Sequence, residues 1–242
     1  MDAPTDDSKY VTPAWSWQGF WQGARLGLPV LPGTTIFALA FGTIAAQKGL
    51  TLLATTLMSA VVYAGASQLV AMEIWPARLT FTAVATLVAV ATLVNLRMIL
   101  MGASLRPWLG SLPAWQTYPA LFFTTEVTWL ASLRYYADGG RDLSFFIGNG
   151  LTIWIAWIAA TMAGYTLGAI IPDPSRFGLD LILPIFFSVM LVPLWRGMRR
   201  SAGWVIAGAV ALASAWLLPG YWFIVIGALA GSIAGGFLDD RE

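Results

Sequence analysis

The 242-residue chain contains no cysteine and no histidine, and only 10% of its residues are charged. Without cysteine there are no disulfides and no thiolate chemistry, and the redox compartment stays open. Without histidine the usual proton carrier near neutral pH and the commonest metal ligand are both missing. Lys9 and Lys48 are the only lysines, so a serine hydrolase built on Ser67 has no base within its span. Carboxylates are too scattered for a metal site, and no GxxxxGK[ST] phosphate loop occurs, which excludes a primary pump on this chain alone. A net charge of +1 offers nothing to nucleic acid. Neither an enzyme nor any cofactor is expected.

What is present is apolar. Hydrophobic residues make up 58% of the chain, mean hydropathy is +0.74, and a soluble domain would carry roughly 25% charged residues. The reading is an all-α, polytopic integral membrane protein in the lipid bilayer. Runs of about 17–25 apolar residues predict eight spans: 26–47, 51–74, 80–104, 118–136, 144–171, 177–195, 202–218 and 221–238. A re-entrant pair is the alternative for the last two. The N-terminus (1–19) is polar and acidic, unlike a secretory signal. Trp15, Trp17, Phe20 and Trp21 read as an interfacial anchor. One transmembrane domain (20–238) and a cytoplasmic tail (239–242) follow. With the N-terminus inside, Lys9, Arg25, Arg78, Arg134, Arg141, Arg196, Arg199, Arg200 and Arg241 fall inside. Lys48, Arg106 and Arg176 then fall outside, a bias that places both termini in the cytoplasm. A faint echo between 41–50 and 163–179 would suggest a four-plus-four repeat; small-residue packing explains it equally well.

Three polar anomalies interrupt the apolar text. Asn95 and Arg97 sit in the third span, where each costs about 2 kcal/mol or more near the bilayer centre. Arg97 lies eight residues from Leu105, and Glu126 lies eight residues from Tyr118, so both are about 12 Å deep from one shared face. Snorkelling of Arg97 and protonation of Glu126 would account for each alone. Together with Thr124 and Thr125 they favour a polar cavity. The second anomaly is Gly65, Ala66, Ser67 and Gln68, read either as tight packing or as a helix break exposing backbone groups to substrate. In the third, Pro29, Pro32 and Gly33 predict a broken or kinked first span. Thr34 or Thr35 would then cap an onward half-helix whose positive end seats a carboxylate. Gly164–Gly168 and Gly227–Gly231–Gly235 read as helix contacts.

GLPVLPGTTIFALAFGTIAAQKGL, LMSAVVYAGASQLVAM, LVNLRMILM, FFTTE and RFGLDLILPIFF, in that order over roughly residues 20–195, resemble the AzlC family, the large subunits of bacterial branched-chain amino acid exporters. The resemblance implies a multi-pass inner-membrane secondary transporter exporting small apolar amino acids. It also implies a small AzlD-type membrane partner and a drive from the proton gradient or membrane potential. Substrate contacts are expected at Gly65, Ala66, Ser67, Gln68, Asn95 and Arg97, with Gly33 and Thr34 from the first-span reading, and proton coupling at Glu126. Two positions depart from the family pattern: Met98 where histidine is common, and Thr125 where aspartate is common. A passive channel or scaffold subunit is the alternative function.

Overall fold

The computed structural model describes residues 15–170, 201–218 and 222–239, with single positions at 178, 181, 185, 188 and 197 between them. The expected sixth span lies outside the described residues. Contacts divide the chain into two compact units, Met1–Ile182 and Leu183–Glu242. All regular structure among the described residues is helical.

Three helices of the first unit are long and apolar enough to cross a membrane: Trp17–Gln47, Phe81–Ser104 and Leu143–Ile170. The first joins α1 (Trp17–Gly27) to α2 (Leu31–Gln47) through a 3-10 turn at Leu28–Val30. Pro29 and Pro32 have no N–H to donate to the carbonyls four residues earlier, Arg25 and Leu28. Leu28 and Leu31, one residue before each proline, donate to those same carbonyls instead. The helix tightens where the sequence predicted a break, and no half-helix end forms.

This span lies parallel to α9 (Leu143–Ile170), backbone against backbone. A Cβ on Gly23 would collide with the Phe145 carbonyl, one on Gly148 with that of Phe20, and one on Gly164 with that of Leu39. Thr43 donates to the Gly164 carbonyl at 2.9 Å and Asn149 to that of Gly23 at 3.1 Å. At the start of both helices Asp142 is buried. It accepts from the hydroxyls of Ser16 and Ser144, while Ser144 also reaches the Ser16 carbonyl. Trp15 and Leu143 therefore mark one face of the unit, and Lys48, after α2, marks the other.

The other described helices of the first unit are too short to cross. After α3 (Leu52–Val62) the chain turns at Tyr63–Ala64 into α4 (Gly65–Glu73). Leu50 sits at the Lys48 face, its carbonyl accepting from Tyr165 at 2.9 Å. Gln68 donates back to Ser59 at 3.3 Å, whereas a helix continuing straight would carry it about 13 Å past. So α4 returns to the Lys48 face, and α5 (Phe81–Ser104) crosses from there. A short helix, α6 (Arg106–Leu109), follows, with Leu105, Trp108 and Leu109 buried.

Next α7 (Ala114–Phe122) rises from the Trp15 face. Trp115 shares a groove with Trp15 and Leu143, and Phe123 packs on Gly150 deeper in. The chain turns at Phe123–Thr125, and α8 (Glu126–Ala137) descends again. Trp129 donates to Ser104 at 2.7 Å, the Tyr136 hydroxyl to the Pro107 carbonyl at 3.2 Å, and Tyr135 stacks on Phe145 at 4.0 Å. Buried α6 side chains wedge into this second hairpin.

The expected second and fourth spans are thus re-entrant hairpins entered from opposite faces. Hydropathy measures length, and a hairpin with both arms in the bilayer is as apolar as a crossing. This moves Glu73 and Arg78 to the Lys48 face and Arg106 to the face of Arg134 and Arg141, the reverse of the sequence expectation.

In the second unit, α10 (Ala202–Leu217) packs on α11 (Trp222–Asp239). Gly227 and Gly231 of α11 meet Ala207 and Ala211 of α10, and Gly203 of α10 faces the Gly231 carbonyl. These glycines make helix contacts, as their spacing indicated.

Candidate functional site

The hairpin tips meet within the first unit, the upper one buried at Tyr63 and the lower one partly exposed at Phe122. Small residues make the upper tip. Tyr63 adopts left-handed backbone (φ 43°, ψ 43°) and Ala64 is extended, so α4 starts afresh at Gly65. A Cβ on Gly65 would stand 2.5 Å from the Trp157 ring, so only glycine lets α4 begin there. The Ser67 hydroxyl donates to the Ala64 carbonyl at 2.9 Å and accepts from Asn95 of α5 at 3.1 Å. Gln68, fully buried, donates to Ser59, which pairs with Thr161 of α9 at 2.9 Å.

At the lower tip Thr125 caps α8, its hydroxyl accepting from the Thr128 N–H at 3.2 Å. Threonine and aspartate both serve as N-caps, so Thr125 keeps a role that the family's common aspartate can fill. Glu126 is the first residue of α8, where the positive end of the helix favours a carboxylate. Its Oε1 lies 2.7 Å from Arg97 Nη2, with the two side chains 27% and 30% exposed. The angles make this an ion pair rather than a hydrogen bond, and Glu126 Oε1 and Arg97 Nε keep unused hydrogen-bonding capacity. The two tips touch through Tyr63 and Phe122, ring centroids 6.0 Å apart, and the Tyr63 hydroxyl donates to the Gly150 carbonyl at 3.4 Å.

Most residues expected at the site therefore converge: Gly65, Ala66, Ser67 and Gln68 on one tip, Glu126 on the other, with Asn95 and Arg97 on the crossing helix beside them. Gly33 and Thr34 do not join. Gly33 has open space around it, and Thr34 turns its hydroxyl onto the Leu31 carbonyl of its own helix at 3.1 Å. Sequence reading missed Tyr63, Phe122, Ser59, Thr161 and Trp157. Their only signal was polar or aromatic character inside apolar spans.

Buried polar groups are nearly always hydrogen-bonded, yet Gln68 Oε1, Asn95 Oδ1, Thr124 Oγ1 and Trp157 Nε1 have no partner among the described residues. All four belong to the tips or to helices lining them. The tips thus bring together two amide acceptors, a charged pair and the N–H groups opening α4. Among the described residues no cluster of three or more acidic, His or Cys side chains forms a metal site.

The family pattern described as "AzlC protein" matches residues 29–171, a stretch containing both hairpins. Among curated proteins, "Inner membrane protein YgaZ" of Escherichia coli (strain K12) is 26% identical over 249 aligned positions, covering 97% of this chain and 93% of that protein. No solved structure matches.

Proposed function

The chain belongs to the AzlC family, and from that premise and the geometry of the tips we propose that it is the large subunit of a secondary transporter. The cargo we assign is branched-chain or similar small apolar amino acids, moved outward. The observation that carries this is the meeting of two oppositely entered half-helix pairs at an Arg97–Glu126 ion pair ringed by polar atoms with spare capacity. Broken helices at mid-depth supply backbone N–H and C=O groups to a solute where continuous helices offer none.

In this reading Arg97 and the first N–H groups of α4 hold the substrate carboxylate, while Gln68 and Asn95 accept from its ammonium. Glu126 pairs with Arg97 in one facing state and takes a proton in the other, coupling export to the proton gradient or membrane potential. Arg25, Arg106, Arg134 and Arg141 toward the Trp15 face, against Lys48 and Arg78 opposite, orient the Trp15 face to the cytoplasm. With the Trp15 face inside, the N-terminal end of the first span lies on the cytoplasmic side of the bacterial inner membrane, and the C-terminus is assigned to the same side. A small AzlD-type subunit completes the transporter, and no catalytic step is involved.

The test is efflux of radiolabelled leucine from cells expressing this chain with and without a small membrane partner. Export should saturate, and countertransport should stimulate it. Flux linear in leucine concentration would mark a pore instead. Glu126→Gln should export without response to an imposed pH gradient; retained pH-driven export would remove Glu126 from coupling.

A further inference from the structure

The hairpins meet end to end at an aromatic pair. Above Tyr63 and Phe122, toward the Lys48 face, lie the neutral polar groups of Ser59, Ser67 and Gln68. Below them, toward the Trp15 face, lie Thr125, Glu126 and Thr128. Phe122 stacks edge-on against Phe123, which in turn meets Trp154. The aromatic contact is thus backed by further rings on the α9 side.

Two features separate the tips from the rest of the unit. The parallel seam between the first span and α9 is closed backbone to backbone and leaves no slack for sliding. The hairpin arms are only nine to twelve residues long, are rooted at opposite faces, and meet by side chains. Tyr63 is also the one non-glycine residue with positive φ among those described. A bulky side chain there is rare and persists when its surroundings hold it, here through the Gly150 carbonyl and the Phe122 ring.

We infer that Tyr63 and Phe122 are the gate of this protein, each hairpin swinging its own tip aside to open the path to the face it enters from. The inference rests on the carrier reading for what passes, but not for the barrier itself. Tyr63 is buried and Phe122 is 37% exposed, and a ring contact set between two polar clusters hinders small solutes whatever the cargo.

The absence of cysteine gives a clean background for a test on the full chain in liposomes. The double variant Tyr63→Cys with Phe122→Cys, kept reduced, should pass glycerol about tenfold faster than the parent because the aromatic constriction is gone. A short bis-methanethiosulfonate, spanning the space the rings leave, should join the tips and restore the seal, and dithiothreitol should reopen it. The parent should ignore both reagents. Tyr63→Phe and Phe122→Tyr, which keep a ring, should stay tight. Tyr63→Ala and Phe122→Ala, if eluting as the parent does on size exclusion, should each leak. A reduced double variant as tight as the parent, thiols that fail to cross-link, or a cross-linked form that still leaks would each overturn the gate. Leucine counterflow is measured on the same vesicles with the small membrane partner co-reconstituted. If the parent lacks it while the leak appears and is sealed on cross-linking, the cargo assignment falls and the gate stands.

Discussion

Glu126→Gln keeps the shape of the side chain at the lower tip and removes its charge, leaving the Arg97 guanidinium without its counter-ion. Removing one partner of a fully buried pair costs about 3–5 kcal/mol, and an exposed pair is worth about 0–1 kcal/mol. With the side chains 27% and 30% exposed at 2.7 Å, the loss falls between these limits, at about 2–3 kcal/mol. For a chain of this size each kcal/mol moves the midpoint by roughly 2–4 °C, so purified Glu126→Gln should melt about 4–12 °C below the parent. Arg97→Met should cost less, because Glu126 still caps the positive end of α8, worth about 0.3–1 kcal/mol, and can also take up a proton. The double variant should then lose less than the sum of the singles by about 1–2 kcal/mol, well outside the roughly 0.5 kcal/mol within which independent sites add. Thermal unfolding of all four proteins in one detergent completes the cycle. Additive losses would mean that the two charges are near each other without stabilising each other, and the account of how the membrane tolerates them would fail.

Thr125→Ala removes the cap of α8 and should cost about 1 kcal/mol, while Thr125→Asp should be close to neutral; melting curves decide. Gly23→Leu should abolish folded protein on size exclusion, since even a Cβ there meets the Phe145 backbone, whereas Gly33→Ala has open space and should be accumulated normally. Asp142→Ala should lower stability by several degrees by leaving the Ser16 hydroxyl and the Ser144 N–H without their acceptor. Asp142→Asn, which keeps an oxygen, should recover part of that loss in the same thermal assay.

Much of the site was legible from residue chemistry and spacing. Arg97 and Glu126 could be matched because the end of α5 and the start of α7 do lie at one face, so counting inward from each reached the same depth. The break at Gly65 was legible in its lack of side chains. The break before Glu126 was not read, although two threonines ahead of a glutamate form an N-terminal cap pattern. Direction was the larger loss. Residues 51–74 are apolar enough for one crossing or for two arms of a hairpin, and only the return of Gln68 to Ser59 tells them apart. Pro29 and Pro32 misled in the other direction, because neighbouring N–H groups took over the carbonyls the prolines could not serve.

The glycine seam also orders the assembly of the protein in time. Residues 17–47 enter the bilayer ahead of α9, the helix whose backbone fits against theirs at Gly23 and Gly42. Until α9 arrives, lipid chains must occupy that face, and both hairpins hang from a half-built wall. A chain cut between Ala137 and Leu143 would keep every hairpin arm and lose the surface they lean on, which makes α9 the keystone of the first unit.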